Sequence, residues 1–451
     1  MKKIFKQVLI FFIVDFAILV GGMAIVFLLF EDFFTVEYLC ISFLTILCWI
    51  YIFYLKDFYR PFRPVSFLFL AYHLFEAILI GTIIPVCIFF CFRNIFMNLL
   101  GLIVAALTLY FLVLSWRYAY YWYIQPAIKT RNTLILGSDD SGQAIAAEIR
   151  KYPEIKFNVI GFVDDDPAKK GIVVDNLRVI GSFSELPDIL EQLDVQVLIL
   201  AIPPDKREKE LQLITPECIK FNVELVEIFD LYSYLTGKLL ASHIACFDPV
   251  KYTYRPAYEL IKRILDVIVA ILITIFTIPL MLAVAIAIKF HDGGRVLYFQ
   301  NRVGKYGNIF KMLKFRTMFP DAEINGAVWS EGNEKDPRAT NIGRIIRKLR
   351  FDELPQMYNV IKGNMSLVGP RPERPEFTEI LEKKNPFYSK RHSVLPGWAG
   401  WAQVKYKYTA NVDDAFEKLS YDLYYIQNRS IFLDVNIWLL AIAKAISGRF
   451  R

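Results

Sequence analysis

The chain has 451 residues, a net charge of +7 and 55% hydrophobic residues, with a mean hydropathy of +0.37. That is too apolar for an ordinary soluble protein and long enough for two or three domains. The positive charge does not call for nucleic acid, because bases at membrane edges and arginines at phosphate-binding positions account for it. Of the six cysteines, Cys40, Cys48, Cys87 and Cys91 lie in apolar segments, and no Cys-x-x-Cys occurs. Neither a disulfide framework nor a zinc site is supported.

Met1-Lys2-Lys3 followed by apolar residues resembles the start of a signal peptide. Asp15 interrupts the run and no small-residue cleavage site follows, so a retained first helix is expected. Stretches at roughly 8–30, 36–55, 66–92 and 95–116 each suffice for a ~30 Å hydrocarbon core. They predict a four-helix transmembrane bundle within residues 1–127. Lys2, Lys3 and Lys6 precede the first stretch, Lys56, Arg60 and Arg63 separate the second from the third, and Arg117, Lys129 and Arg131 follow the fourth. Glu31, Asp32 and Glu37 follow the first, and Arg93 alone separates the third from the fourth. Both ends of the bundle are therefore expected on the cytoplasmic side.

Residues 128–250 change character. Thr133–Gly137, Phe157–Val163 and Val195–Ala201 read as strands, and Gln143–Lys151 and Ser184–Gln192 as helices. The alternation predicts a Rossmann-like, doubly wound parallel sheet. Its first turn, Gly137-Ser-Asp-Asp-Ser-Gly142, has Asp139 where a dinucleotide fingerprint has its middle glycine. A carboxylate there repels a pyrophosphate. Asp164-Asp-Asp166 ends the second strand where a ribose-binding acid would sit, but Asp-Asp-Asp-Pro is also an ordinary turn. No cofactor-binding residue is assigned to this module.

The apolar run Val267–Ile288, within a segment 255–290, would make a helix of about 33 Å. Length alone favours a fifth span. Lys262 and Arg263 precede the run and Lys289, Arg295 and Arg302 follow it, so both ends look cytoplasmic. Pro279 removes a hydrogen bond near the middle. A re-entrant helix, entering and leaving on one side with its break at Pro279, satisfies both observations. Residues 291–451 are polar enough for a globular domain. Trp398, Trp401, Tyr406, Tyr421, Tyr424 and Tyr425 belong either to a headgroup-level belt or to the core. Ile431–Ile446, with Asp434, Asn436 and Lys444, suits a surface-lying amphipathic helix.

The chemistry concentrates in Leu349-Arg-Phe-Asp-Glu-Leu-Pro-Gln356 and Gly369-Pro-Arg-Pro372. Pro355 marks a helix start, which puts Asp352 near an N-cap and Glu353 near the first position. A capping role is the bland reading. Against it stand Arg338, Arg344, Arg347, Lys348 and Arg350 just before the pair, with Arg371 and Arg374 after it. Adjacent carboxylates at a helix start point apart, so one can face an electrophilic phosphorus while its neighbour holds Mg²⁺. Guanidinium forks suit the phosphate oxygens. The four histidines are too scattered for a metal cluster, and His392 is expected at the surface.

Seven ordered motifs carry a specific resemblance: Gln300-Asn-Arg-Val-Gly304, Lys314-Phe-Arg-Thr-Met318, Asp336-Pro-Arg-Ala-Thr-Asn-Ile-Gly343, Asp352-Glu-Leu-Pro-Gln356, Asn359-Val-Ile-Lys-Gly363, Met365-Ser-Leu-Val-Gly-Pro-Arg-Pro372 and Gly400-Trp-Ala-Gln403. From about Arg255 onward the chain resembles the bacterial sugar transferases, the monotopic polyprenyl-phosphate sugar-1-phosphate transferases. The whole architecture is similar to their large members, which act on glucose or galactose donors in exopolysaccharide, capsule or O-antigen synthesis. The resemblance implies a mostly helical monotopic catalytic domain at 291–451, on the cytoplasmic face of the bacterial inner membrane of a multi-pass protein. It implies that Asp352 attacks the β-phosphate of a UDP-sugar, releasing UMP and forming an aspartyl phosphosugar that undecaprenyl phosphate then takes. Glu353 would carry Mg²⁺, Arg347 and Arg371 would bind phosphates, and Lys314 and Arg316 would help shape the site. Membrane lipid is an implied partner, nucleic acid is not, and homo-oligomerisation stays open. One departure stands out: Leu395-Pro-Gly-Trp-Ala-Gly400 replaces the family's Lys/Arg-Pro-Gly-Ile-Thr-Gly. Two other readings remain in view, a non-catalytic scaffold of polysaccharide assembly and a membrane-tethered NAD(P)-dependent sugar-nucleotide oxidoreductase.

Overall fold

The structure, a computed structural model, describes residues 2–29, 36–55, 58, 67–92, 99–124, 129–202, 204–319, 322, 337–406 and 412–446. The loop charges Glu31, Asp32, Lys56, Arg60, Arg63 and Arg93 and the motif residue Asp336 lie outside them. The chain divides into two compact units, Met1–Leu231 and Tyr232–Arg451.

In the first unit the four apolar stretches are helices: α1 (Lys2–Leu29), α2 (Val36–Leu55), α3 (Phe67–Phe92) and α4 (Leu99–Ala119). α1 packs on α2 and α4, and α3 on α2 and α4. Phe11, Leu19, Trp49, Leu74, Leu109 and Val113 are buried between them. Asp15, which interrupts the first apolar run, pairs with Arg117 of α4, and both side chains are fully buried. A buried carboxylate needs such a partner, so the two exceptions in the pattern neutralise each other.

The sheet of the first unit comprises β1 (Arg131–Leu136), β2 (Phe157–Val163), β3 (Val173–Val174), β4 (Leu177–Gly181), β5 (Val197–Leu200) and β6 (Glu224–Glu227). Their order is β3-β4-β2-β1-β5-β6, parallel except for the β3–β4 hairpin. The expected strands appear within two or three residues of their predicted ends. That hairpin and the terminal strand β6 were not legible as strands. The turn after β1 is filled by its own side chains. Asp164 accepts from Ser138 N at 2.8 Å and Ser138 Oγ at 2.5 Å, and Lys169 Nζ bridges Asp139 at 2.6 Å and Asp164 at 3.2 Å. Asp165 accepts from Phe183 N and Asp166 from Ala168 N. Each acid of the run therefore has a local structural task.

The second unit begins earlier than the boundary near 250 expected from sequence. Leu239, Ile244 and Phe247 belong to its core. Trp401 Nε1 donates to Gly237 O at 2.7 Å, and Lys390 Nζ donates to the carbonyls of Ile244, Ala245 and Phe247 at 2.8 Å each. Residues 232–250 are thus a strap of the second unit rather than the end of the sheet module.

A 37-residue helix, Pro256–Asp292, follows. Its stretch Pro256–His291 is, among the described residues, the one helix long and apolar enough to cross a membrane. Pro279, expected to interrupt it, lies inside an unbroken helix. Both ends of this helix pack on the second unit. Ala270 joins the main core, with Val269 and Ile273 against it, while Val284 and Ile288 are buried with Phe315 and Ile346. Between these contacts Ile275, Phe276 and Ile278 are exposed.

The aromatic residues of the C-terminal region go mainly to the core: Trp401 and Tyr425 are buried, with Trp398, Tyr421 and Tyr424 packed around them. The last helix, Ile431–Ile446, has two distinct faces. Asp434 and Asn436 face inward, while Phe432 and Val435 are exposed.

Candidate active site

Asp352 and Glu353 do not start a helix. They lie in a 3₁₀ turn, Phe351–Glu353, and Pro355 caps the helix Gln356–Lys362 that follows. The helix before the pair, Asn341–Lys348, is capped by Thr340, whose side chain accepts from Gly343 N. Gly343 is required there, because a Cβ would lie 2.0 Å from Thr317 O. Arg350 then turns the chain with φ +60°, ψ 18°, a left-handed conformation costing roughly 1–3 kcal/mol for a residue with a Cβ. This turn carries both acids inward: Asp352 is 8% and Glu353 5% exposed.

Glu353 Oε1 is surrounded by three cations. Arg371 donates to it at 2.9 Å, and Lys314 Nζ and Arg350 lie at 3.5 and 3.6 Å. Burial works against its charge, but Arg371, Lys314 and Arg350 together hold Glu353 well below the usual carboxylate range. Asp352 goes the other way. Burial and the neighbouring Glu353 charge push it up to about 6, against the smaller pull of Lys314, Arg350 and Arg347. Its Oδ1 is buried without a hydrogen-bond partner among the described residues. Two adjacent carboxylates thus separate into one firmly ionised, cation-bound group and one group poised near neutrality, a division that acid–base and nucleophilic sites exploit.

Lys314 reaches the pair through strand register. Strand β8 (Ile309–Phe315) pairs antiparallel with β7 (Leu297–Val303). Alternation puts Phe310, Met312 and Lys314 on one face, and Phe310 and Met312 are buried there. The other edge of β8 is held by Asn359, whose Oδ1 accepts from Leu313 N at 2.9 Å and whose Nδ2 donates to Lys311 O at 2.8 Å. This buried amide acts as a substitute strand, and it stands on the helix that follows the acids. Sequence reasoning gave Asn359 no role, although a polar residue in the half-apolar stretch Met357–Ile361 was a usable signal. Arg350 was likewise missing from the expected phosphate-binding set.

The remaining expected residues divide. Arg347 is half-buried and its charge reaches Asp352, whereas Arg344 and Lys348 on the same helix are exposed. The backbone N–H of Arg316 donates to Val296 O at 2.9 Å, and its guanidinium packs over Gly294. His392 is not at the surface: burial and the Arg391 charge pull it down to about 3, which keeps it neutral. Among the described residues no group of three or more His, Cys, Asp or Glu forms a metal cluster. A donor set of two carboxylates is still enough for Mg²⁺ when substrate phosphates complete it. The unpartnered Asp352 Oδ1 fits such a use, while Glu353 Oε1, already among three cations, leaves a metal only the other oxygen of that carboxylate.

The opposed protonation of the pair predicts a stability signature. Asp352 binds its proton more tightly folded than unfolded, so its contribution is favourable below the ordinary carboxylate range and is lost as pH rises through about 6. Asp352→Asn is therefore expected to stabilise the fold at pH 8 by up to about 3 kcal/mol, and by almost nothing near pH 4. Thermal unfolding of both proteins at the two pH values measures this. Equal or lower stability of Asp352→Asn at pH 8 would contradict the burial argument.

Comparison with known proteins identifies the family. The family model described as bacterial sugar transferase matches residues 257–448, and one described as a CoA-binding domain matches 54–228. A UDP-N-acetylgalactosamine-undecaprenyl-phosphate N-acetylgalactosaminephosphotransferase of Aeromonas hydrophila is 36% identical over 66% of this chain and 69% of its own length. An undecaprenyl-phosphate glucose phosphotransferase of Komagataeibacter xylinus is 31% identical over 71% of this chain and 60% of its own length. A UDP-glucose:undecaprenyl-phosphate glucose-1-phosphate transferase of Escherichia coli is 29% identical over 73% and 70%. Among solved structures, a Rex-family repressor aligns with 28% of this chain and 68% of its own at 22% identity, with a TM-score of 0.22 that is too low to bear on the fold. The acid pair, its cations and Asn359 all lie inside the matched segment 257–448, and the chain belongs to the bacterial sugar transferases.

Proposed function

We propose that this protein transfers a sugar-1-phosphate from a UDP-sugar to undecaprenyl phosphate, releasing UMP, as the first step of a lipid-linked exopolysaccharide, capsule or O-antigen synthesis. The observation that carries the reading is the buried pair: Glu353 held ionised by three cations, and Asp352 beside it with an oxygen that has no partner. Asp352 attacks the β-phosphorus of the UDP-sugar. The bond from that phosphorus to the oxygen bridging to the α-phosphate breaks, UMP leaves, and an aspartyl phosphosugar remains. An oxygen of undecaprenyl phosphate then attacks the same phosphorus and frees the Asp352 carboxylate. The products are UMP and an undecaprenyl diphosphosugar, with no net redox change.

Arg347 and Arg371 bind phosphate oxygens in this scheme. A planar guanidinium fork matches the geometry of phosphate oxygens. Lys314 keeps Glu353 ionised, and Arg316, packed at Gly294, is left outside the set. Mg²⁺, held by Glu353 together with substrate phosphates, would neutralise charge on the transferred phosphoryl group. Ionisation of Asp352 is required for attack, so activity is lost as pH falls. No ligand is assigned to the module matched by the CoA-binding family model; at the turn after β1, Lys169 bridges Asp139 and Asp164.

The four N-terminal helices are proposed to cross the bacterial inner membrane, leaving the second unit on the cytoplasmic side. The helix Pro256–Asp292 is proposed to enter that membrane without crossing it. Residues on both sides of its exposed middle, Ala270 on one side and Val284 and Ile288 on the other, pack on other parts of the same unit, and cations flank the apolar run at both ends.

Two measurements test the proposal. Full-length protein in lipid nanodiscs, given Mg²⁺, undecaprenyl phosphate and a panel of UDP-sugars, is expected to release UMP in step with lipid-linked sugar. Its kcat/KM should fall below pH about 6. No UMP from any UDP-sugar would overturn the reaction. For topology, single cysteines at Ala257→Cys and Asn301→Cys in a chain otherwise free of cysteine should both resist an impermeant thiol reagent added outside intact cells. Both should react in inverted vesicles. Outside labelling at position 301 alone would establish a true span.

A further inference from the structure

The loop that carries Arg371 has an unusual feature: four consecutive carbonyls, Pro370 to Glu373, each accept a hydrogen bond. Gly397 N donates to Pro370 O and Val303 N to Glu373 O, both at 2.9 Å. The middle two are taken by guanidinium groups. Arg391 donates to Arg371 O and Arg302 to Pro372 O, again at 2.9 Å each. Prolines at 370 and 372 have no N–H, so the segment cannot be fixed by donating into a ladder from those positions. It is held through its acceptors.

The two arginines are themselves anchored. Arg391 is 5% exposed, pairs with the buried Asp422 at 2.7 Å, and donates to Tyr388 Oη at 2.6 Å. Arg302 donates to Gln300 Oε1 through Nε at 3.1 Å and Nη2 at 2.7 Å, and lies 3.8 Å from Glu373. Neither forms an ion pair with Asp352 or Glu353. Burying a guanidinium is unfavourable unless its donors are used, and here donors of both converge on one loop.

We propose that Arg302 and Arg391 are positioning residues: they clamp the carbonyls of Arg371 and Pro372, which aims the Arg371 fork at Glu353. The proposal rests on the transferase reading, since the Glu353 pair is the machinery that the clamp serves. A rigid planar fork suits this better than a lysine, whose single ammonium can swing away from its acceptor.

A double-mutant cycle tests it on the full-length protein in nanodiscs, with a UDP-sugar that the wild type turns over. Arg391→Lys, which keeps the charge beside Asp422, and Arg302→Gln are made alone and together with Arg371→Lys. Each single change is expected to lower kcat/KM roughly 10-fold or more, yet to have little further effect once residue 371 is lysine. The split of that loss between kcat and KM should match the split in Arg371→Lys. Thermal unfolding identifies any variant that fails to fold; the other arm, or Arg302→Lys, then completes the cycle. Equal losses in both backgrounds, in folded protein, would reduce the clamp to a structural role and overturn the proposal. A folded wild type without activity would overturn the transferase reading, and the clamp's role with it.

Discussion

A carboxylate as deeply buried as Glu353 is tolerated only with compensating cations, because its desolvation would otherwise be prohibitive. Much of the second unit can be understood as supplying those cations from separate parts of the chain. Lys314 arrives on the inward face of β8, whose free edge is held by Asn359. Arg350 arrives through a left-handed turn that also buries the acids. Arg371 arrives on a loop whose carbonyls are themselves bound. Buried, and with Glu353 ionised beside it, Asp352 is left as the partner whose charge is costly, and its pKa rises. The asymmetry of the pair is thus a consequence of geometry rather than of residue type.

The same logic connects the site to the membrane helix. Glu259, Lys262, Arg263 and Asp266 follow i, i+3, i+4 and i+7 spacing, so they form one polar stripe on an otherwise apolar helix. Arg263 donates to Val360 O at 2.6 Å and Ile361 O at 2.8 Å, capping the helix that follows the acid pair. Ser366 Oγ donates to Asp266 at 2.6 Å. Lys262 lies 3.1 Å from Asp434, which also accepts from Tyr258 and Tyr425 at 2.7 Å each. Glu259 accepts from Arg429 at 2.6 Å. A helix whose remaining surface suits lipid is therefore fixed to the helix next to the site by charged hydrogen bonds. In the proposed membrane arrangement, that attachment sets the position of the acids relative to the bilayer surface.

The elements were legible where the pattern was long and periodic, as in α1–α4, β1, β2 and the helix around 267–288. Asp352 and Glu353 were legible because two acids among so many arginines is a rare arrangement. Their conformation was not, since nothing local announces that Arg350 adopts a positive φ and replaces a helix start with a 3₁₀ turn. His392 was misplaced because polarity alone assigned it to the surface, whereas its side chain is only 10% exposed. Arg316 looked equivalent to Lys314 two residues earlier, and it shares the strand-side alternation, but the chain leaves β8 at Phe315 and Arg316 turns toward Gly294. Residues 232–250 carry no motif at all. Their membership of the second unit rests on Trp401 and Lys390, more than 140 positions away in sequence.

The central claim is that Asp352 is the nucleophile, and the covalent intermediate is its most direct test. Full-length protein is mixed with UDP-sugar in the absence of undecaprenyl phosphate, quenched, and digested for mass spectrometry. The account predicts a sugar-phosphate adduct on the peptide containing Asp352, lost in Asp352→Asn because an amide cannot form an acyl phosphate. An adduct on another residue, or undiminished turnover by Asp352→Asn, would contradict it.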